Sequence, residues 1–293
     1  MSPYTKGPLL FLRSAISQVG RLAGRDPNLK AYDLKDKETP TISYYSNERA
    51  LHNLSLVVLV PIGPRIGRKY IRSVSNLVQR AAALFRGCRL VFDPRGAAPP
   101  RDSPHPGRQP ALAKIRQDMV DRHLGNADWV VWVDADIVGF PKDLFSQLIL
   151  RADGGIAAPV VLMDGAPGAG PENSDWFGPG KFYDVAGFVE RMRWARFSEP
   201  WFDQPGPTYS LDSVGSCYIV SSEIYRRGAR HAPDQFSLDF VKRGLKWTNK
   251  SVTSNQRGPA NCFTEHFSVC QWAKQHAYPV RAYGDLVAWH AKV

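Results

Sequence analysis

A short apolar run that ends in two aspartates constrains this chain most strongly. Trp129 to Val133 are aromatic or β-branched, which suits one buried strand and is too short for a membrane span. Asp134 and Asp136 follow at once, so on extended backbone both side chains leave the same face at the carboxyl end of the strand. Pro141 then suits the first turn of a helix over residues 142–150. The sequence therefore predicts a strand, an acidic tip and a helix.

The two aspartates indicate a divalent cation. Two carboxylates on one face repel each other, and a bound cation is the usual reason to tolerate that. Hard oxygen ligands favour magnesium or manganese, which commonly bridge protein carboxylates and substrate phosphates. An Asp-x-Asp triplet also occurs in solvated turns. However, the strand before it and the proline-started helix after it favour the metal-binding motif of a nucleotide-sugar glycosyltransferase of the GT-A type.

The order of apolar runs predicts an α/β fold with a mixed, Rossmann-like central sheet flanked by helices. Before the aspartates we predict strands over residues 54–60 and 89–92, and helices over 69–85, with Gly87 as a stop, and over 111–124. After the aspartates we predict strands over 155–163 and 217–220, a final strand pair within 278–288, and helices that begin at Ser221 and Thr264.

The composition is that of a globular protein, with 43% hydrophobic and 11% aromatic residues in 293. We predict an N-terminal arm over residues 1–50 and one GT-A domain over 51–293, with a nucleotide-binding half (51–150) and an acceptor-binding half (151–293). No apolar run reaches transmembrane length, and no signal peptide pattern opens the sequence. The expected location is therefore cytoplasmic, or the Golgi lumen if an anchor has been removed.

The net charge of +11 is placed unevenly and predicts an anionic ligand. Residues 61–122 hold 13 Lys and Arg against 4 Asp and Glu, a surplus of 9. Such a surplus attracts a nucleotide diphosphate or a nucleic acid, or else forms a solvated basic surface. The sequence has no zinc-finger spacing, helix-turn-helix signature or RNA-binding aromatic motif, so nothing else favours nucleic acid.

The predicted βαβ order places nucleotide-binding groups on the loops that follow the strands. These loops are Pro61 to Arg65 and Asp93 to Arg95. Arg116, on the helix before the Asp-x-Asp strand, either clamps a pyrophosphate in bidentate fashion or decorates the surface. Asp212 stands in a loop that is expected to face the same side.

The ordered set of motifs resembles the fungal mannan-polymerase mannosyltransferases, glycosyltransferase family 62. The resemblance covers the chain from about residue 54 to the C-terminus, and the combination is more specific than any one motif. It rests on Lys114-Ile-Arg116-Gln117, on Asp128-Trp129-Val-Val-Trp132-Val-Asp134-Ala-Asp136-Ile137 followed by Pro141, on Leu211-Asp212-Ser-Val-Gly215-Ser216, on Thr264-Glu265-His266-Phe267 through Ala273-Lys274 to Tyr278, and on the closing Trp289-His290.

This resemblance implies a GT-A fold that uses manganese and a GDP-sugar, above all GDP-mannose, and transfers with retention of configuration. Asp136 would bind the metal directly, Asp134 would bind metal or ribose, and His290 would complete the metal shell. Two further roles are implied: Arg116 would hold the pyrophosphate, while Asp212 and Glu265 would face the reacting sugar and the acceptor hydroxyl.

Three residues depart from the family's pattern. Ser213 and Ser216 stand where glycines are more familiar, and His266 stands in a glycine-like position. The expected acceptor is therefore a glycan or a small hydroxylated metabolite. Two other hypotheses stay open, namely a nucleotidyltransferase and a noncatalytic sugar-nucleotide-binding subunit of a glycosyltransferase complex, as does association with itself or another subunit.

Overall fold

The computed structural model describes residues 41–45, 52–62, 68–93, 108–164, 189–190, 193–194, 208–233 and 265–291. The main element in them is a nine-stranded mixed sheet. The strands are β1 (Thr41–Tyr45), β2 (His52–Pro61), β3 (Phe85–Asp93), β4 (Trp129–Val133), β5 (Ile137–Gly139), β6 (Ile156–Met163), β7 (Val189–Glu190), β8 (Arg193–Trp194), β9 (Thr208–Ser210), β10 (Cys217–Ser221) and β11 (Val280–His290). The helices are α1 (Arg68–Ala82), α2 (Arg108–His123), α3 (Leu144–Ala152), α4 (Ser222–Arg226) and α5 (Phe267–Gln275).

The order of the strands is β1-β3-β2-β4-β10-β6-β11-β5, and β9 pairs with β11. Strands β3, β2 and β4 run parallel, β10 runs antiparallel to both β4 and β6, and β6 runs parallel to β11. Strands β2, β3, β4, β6 and β11 therefore share one direction, and their carboxyl ends meet at one edge of the sheet. Strands β7 and β8 form a separate two-stranded sheet.

Helices cover both faces of the sheet because the apolar side chains of each central strand alternate between two cores. Val131 and Val133 of β4 pack with α1 and α3, whereas Val130 and Trp132 pack with α2, α4 and α5. The sheet therefore lies between two helical layers. The predicted α/β class and mixed central sheet flanked by helices are confirmed.

Two local predictions differ from the structure. Helix α1 ends at Ala82, and Gly87 lies inside β3, where it pairs with Ser55, so it is not a helix stop. The final strand pair is wrong: β11 is one strand, whose register against β6 shifts between Tyr283 and Val287 and so takes up the extra residues. Strand β1, within the predicted arm, pairs antiparallel with β3. The division into halves stays a prediction.

None of the helices in the described part of the chain is both long and apolar enough to cross a membrane.

Candidate active site

Backbone hydrogen bonds join the Asp-x-Asp segment to the end of β11. The amide of Asp134 donates to the carbonyl of Ser216 just before β10 (2.9 Å), and the amide of Ala291 donates to the carbonyl of Asp136 (2.8 Å). The amide of Asp164, at the end of β6, donates to the carbonyl of His290 (2.7 Å). The two aspartates and His290, which are more than 150 residues apart in sequence, therefore lie at the same sheet edge.

The backbone at the aspartates is turned rather than extended, which corrects the sequence prediction. The amide of Ile137 donates to the carbonyl of Asp134 (3.1 Å) and closes a turn. The reason is topological: β4 lies between β2 and β10, whereas β5 pairs with β11 on its far side. The chain must leave the strand direction at the aspartates to reach that position.

His290 and Asp136 form a pair that requires a cation or a proton between them. The Nδ1–H of His290 donates to the carbonyl of Ala291 (2.7 Å), which can only accept. A neutral ring therefore turns the lone pair of Nε2 towards Oδ1 of Asp136, 3.0 Å away. Burial lowers the pKa of His290, but the carboxylate of Asp136 outweighs it and raises that pKa overall.

The same geometry fits a divalent metal ion. The 3.0 Å between Nε2 and Oδ1 is also the separation, about 3.0 Å, of two adjacent ligands on an octahedral ion with bonds of about 2.1 Å. The described residues contain no group of three or more His, Cys, Asp or Glu side chains already gathered as a metal cluster. His290 and Asp136 therefore supply two ligands, and Asp134, whose charge also acts on His290, is a further carboxylate at this edge.

Arg116 of α2 is buried beside the aspartates, with 2% of its surface exposed, so the surface alternative for this residue is wrong. Its Nη2 donates to Oδ1 of Asp134 (2.9 Å) and its Nε donates to Oε1 of Glu265 (3.0 Å). The guanidinium carbon lies 4.8 Å from the centre of the Trp132 ring. One edge of the guanidinium is thus held by two carboxylates, and its face lies over an aromatic ring.

The pKa values of Arg116 and Asp134 are both shifted by their charged neighbours. Burial alone lowers the pKa of Arg116, but the carboxylates of Asp134 and Glu265 outweigh it, and the pKa is raised. The pKa of Asp134 is raised by burial and by the neighbouring carboxylate of Asp136, against the lowering effect of Arg116. An additional positive charge at the aspartates would offset the effects that raise the pKa of Asp134, which include a smaller one from Glu265.

One nitrogen of Arg116 lacks an acceptor in the described part of the chain. Nη1 is buried and makes no hydrogen bond there. A buried donor without a partner costs about 1–3 kcal/mol, and a guanidinium has five N–H groups. An anionic oxygen at Nη1 would recover that cost, and Arg116 is therefore suited to hold one.

Glu265 stands next to Arg116, and the ring of His266 lies beside its carboxylate. Nε2 of His266 lies 3.3 Å from the same Oε1 atom, and Nδ1 of His266 lies 2.9 Å from the hydroxyl of Tyr218 on β10. All three residues are at least 95% buried. Burial lowers the pKa of His266 well below its usual value, and Arg116 acts in the same direction.

A second buried chain of hydrogen bonds reaches the backbone of Glu265. Nδ1 of His231 lies 3.0 Å from the carbonyl of Glu265, and Nε2 of His231 lies 3.0 Å from the hydroxyl of Tyr225. That hydroxyl also accepts from Nε1 of Trp132 (2.9 Å). Burial lowers the pKa of His231 to about 3. Sequence reasoning missed Tyr218, Tyr225 and His231. No local pattern marks them, because each has a partner that lies 34 or more residues away.

Asp212, predicted beside Glu265, is held by α5. Its carboxylate forms an ion pair with the ammonium of Lys274, and its carbonyl accepts from Nε2 of Gln271 (2.9 Å). Its side chain is 7% exposed. Asp212 therefore anchors α5, the helix that starts directly after Glu265 and His266.

The predicted nucleotide-binding loops are described only in part. Pro61 ends β2 and pairs with Asp93 at the end of β3, so both lie at the carboxyl edge of the sheet. The carboxylate of Asp93 is buried and forms an ion pair with Arg122 of α2. Arg65 lies outside the described residues. A role for these three residues in nucleotide binding stays a prediction.

Comparisons with known proteins give distant likenesses in structure. No protein-family model matches the chain, and no curated protein matches it in sequence. A solved structure of GalNAc-T7 with UDP, GalNAc and Mn²⁺ is similar, with a TM-score of 0.46 and 10% identity over 82% of this chain and 43% of that one. The chain therefore spans less than half of that protein's length. The resemblance to the mannosyltransferase family rests on the sequence motifs alone.

Proposed function

We propose that this chain is a divalent-cation-dependent glycosyltransferase that moves a sugar from a nucleoside diphosphate sugar to a hydroxyl acceptor. One observation carries the proposal: at the carboxyl edge of the sheet, the Asp136–His290 pair lies next to the Asp134–Arg116 pair. The first pair suits a metal ion and the second suits an anionic oxygen. A diphosphate bridged to a cation has both kinds of group, and open α/β sheets bind ligands at this edge.

Manganese or magnesium would be held by Asp136, His290 and Asp134, and when bound it would neutralise the charge that grows on the leaving diphosphate. The protein itself contributes Arg116, whose Nη1 would donate to a diphosphate oxygen while Nε and Nη2 stay on the carboxylates. Because Glu265 and Asp134 fix the guanidinium before the donor binds, little reorganisation is needed during the reaction.

Glu265 is the better candidate of the two acidic residues for a role near the reacting sugar. Its carboxylate is joined to Arg116 directly and to Asp134 through it. The carboxylate of Asp212 pairs with Lys274 on α5 instead. We therefore assign Glu265 to the orientation of Arg116 and the donor, and Asp212 to the anchoring of α5.

The finer assignments draw on the family resemblance. They are a GT-A fold, GDP-mannose as the donor, retention of configuration, and a glycan or small hydroxylated metabolite as the acceptor. Support comes from the motifs around Arg116, Asp136, Glu265 and His290, which the fold brings to one edge although they are far apart in sequence. The contacts at Asp93 and Asp212 give no support of this kind.

The test is a panel of GDP- and UDP-sugars with and without Mn²⁺, scored for transfer to simple sugar alcohols and for hydrolysis. We expect a GDP-sugar to be used only with the cation, and Asp136→Asn to lower turnover by about 100-fold or more. Asp285→Asn is the matched control, because this aspartate on β11 is also partly exposed and paired with a cationic side chain, Arg151.

The outcomes of the panel separate the proposal from its alternatives. Transfer that is equally fast in Asp136→Asn would contradict the proposed site. Cation-dependent nucleotide binding without transfer would indicate a noncatalytic binding subunit. Release of pyrophosphate from a nucleoside triphosphate would indicate a nucleotidyltransferase.

A further inference from the structure

We propose that Tyr218 and His266 act as a positioning pair that holds the carboxylate of Glu265, and through it the guanidinium of Arg116, beside Asp134. The inference rests on the proposed function for its effect on catalysis. Its structural part, the direction of the hydrogen bonds, is independent of any activity.

The partners of His266 determine which of its nitrogens carries the proton. Nε2 faces Oε1 of the Glu265 carboxylate at 3.3 Å, and a carboxylate oxygen accepts, so this nitrogen carries a hydrogen. Nδ1 is then an acceptor, and the hydroxyl of Tyr218 at 2.9 Å donates to it. The resulting order is a donation from Tyr218 to His266, and from His266 to Glu265.

That order matters because Oε1 of Glu265 receives two donors at once. The other donor is Nε of Arg116, whose Nη2 reaches Asp134. If His266 shifts to its other tautomer, its Nε2 lone pair faces Oε1 and repels it. Glu265 then loses one of the two side-chain contacts that the described residues give its carboxylate. The direction of Nη1 of Arg116, which has no acceptor among those residues, is no longer defined. The hydroxyl of Tyr218 favours the first tautomer, because it donates to the lone pair of Nδ1, which would otherwise be buried without a partner.

The same core contains a second tyrosine–histidine pair, Tyr225 and His231, in which the other ring nitrogen carries the proton. Nδ1 of His231 faces the backbone carbonyl of Glu265 and must donate, so the hydroxyl of Tyr225 donates to Nε2. Tyr225 is 2% exposed and Tyr218 is 1% exposed. Tyr225 supports the backbone of Glu265 and does not contact its carboxylate. Removal of either hydroxyl takes one donor from one buried histidine. Because the two hydroxyls also interact with each other, Tyr225→Phe should have a smaller effect on the carboxylate than Tyr218→Phe rather than none.

The experiment uses the full chain and compares Tyr218→Phe with Tyr225→Phe, and His266→Gln with His266→Leu. Thermal unfolding measures stability, and kcat and KM are measured with the donor sugar found in the panel. We expect Tyr218→Phe to lower kcat by about 10–100-fold, the usual range for a partner one step behind a site residue, while Tyr225→Phe changes it by less than about 3-fold. His266→Gln keeps an N–H donor and should retain more activity than His266→Leu.

Nitrogen-15 NMR of the imidazoles in the wild-type protein, without substrate, gives the second readout. We expect the proton of His266 on Nε2 and that of His231 on Nδ1, and we expect Tyr218→Phe to redistribute only the first. A proton on Nδ1 of His266 would overturn the proposal. So would equal losses of kcat in the two Phe variants. If the panel shows no transfer, the proposed function fails, and the NMR result alone decides whether the positioning pair exists.

Discussion

Removal of the Arg116 guanidinium should show how much its ion pairs with Asp134 and Glu265 contribute to the stability of the fold. Arg116→Met leaves Glu265 with His266 as its remaining side-chain donor in the described part of the chain, and it leaves Asp134 without its ion pair. Breaking a buried ion pair by removal of one partner costs about 3–5 kcal/mol, because the other charge stays buried. We expect a loss of that size in the free energy of unfolding.

The two carboxylates should contribute unequally to this loss. The side chain of Glu265 is 7% exposed, whereas that of Asp134 is 30% exposed and can be solvated. In the Arg116→Met background, Glu265→Gln should therefore recover at least about 2 kcal/mol, and Asp134→Asn less than about 1 kcal/mol. Both substitutions remove one charge with little change in shape, so each serves as the control for the other.

The assay is urea denaturation at pH 7 without divalent cations, followed by tryptophan fluorescence and by circular dichroism. The slopes of the unfolding curves must agree among the variants for the free energies to be compared. A loss below about 1 kcal/mol for Arg116→Met would refute the reasoning that the pair is buried and coupled. Equal recovery from the two second substitutions would refute the unequal burial of their carboxylates.

Three further predictions concern the stability of the fold. Burial lowers the pKa values of His231 and His266, so below about pH 6.5 the unfolded chain takes up protons at these residues while the folded chain does not. Each residue should therefore lower the free energy of unfolding by about 1 kcal/mol per unit fall in pH, measured by urea denaturation between pH 6 and 5. In His231→Gln this combined loss of stability should be halved. Asp212→Asn breaks a largely buried ion pair with α5 and should cost about 1–3 kcal/mol in the same assay, whereas an unchanged value would show that α5 is anchored elsewhere. Gly155→Ala places a methyl group against the backbone oxygen of Pro279 and should lower the melting temperature by several degrees, a shift that would be absent if the start of β11 moves freely.

The central strands were predictable because each is a short apolar run, which the local sequence identifies without knowledge of its partners. Residues 129–133 were predicted as a strand and form β4 with those bounds, and residues 54–60 and 155–163 fall within one or two residues of β2 and β6. The carboxyl edge as the site of the acidic residues follows from the same runs. The turn at the aspartates was not predictable, because it depends on the place of β5 beyond β11 in the sheet.

The buried network was not predictable for a different reason. Arg116 and Glu265 are 149 positions apart, and His231 reaches Glu265 across 34 positions in a polar stretch without periodicity. A histidine or tyrosine in such a stretch looks like any surface residue until its partners are known. The family resemblance named Glu265 and Arg116 as site residues, but it gave no indication that they bind each other.

The central claim is that the aspartates and His290 hold a divalent cation that in turn holds a diphosphate. Electron paramagnetic resonance of Mn²⁺ titrated into the protein, with and without GDP, tests it most directly. We predict one bound Mn²⁺ per chain whose affinity rises when GDP is present and falls by about 10-fold or more in Asp136→Asn, but not in the control Asp285→Asn. Equal Mn²⁺ affinity in the wild-type protein and Asp136→Asn, or binding indifferent to GDP, would contradict the account.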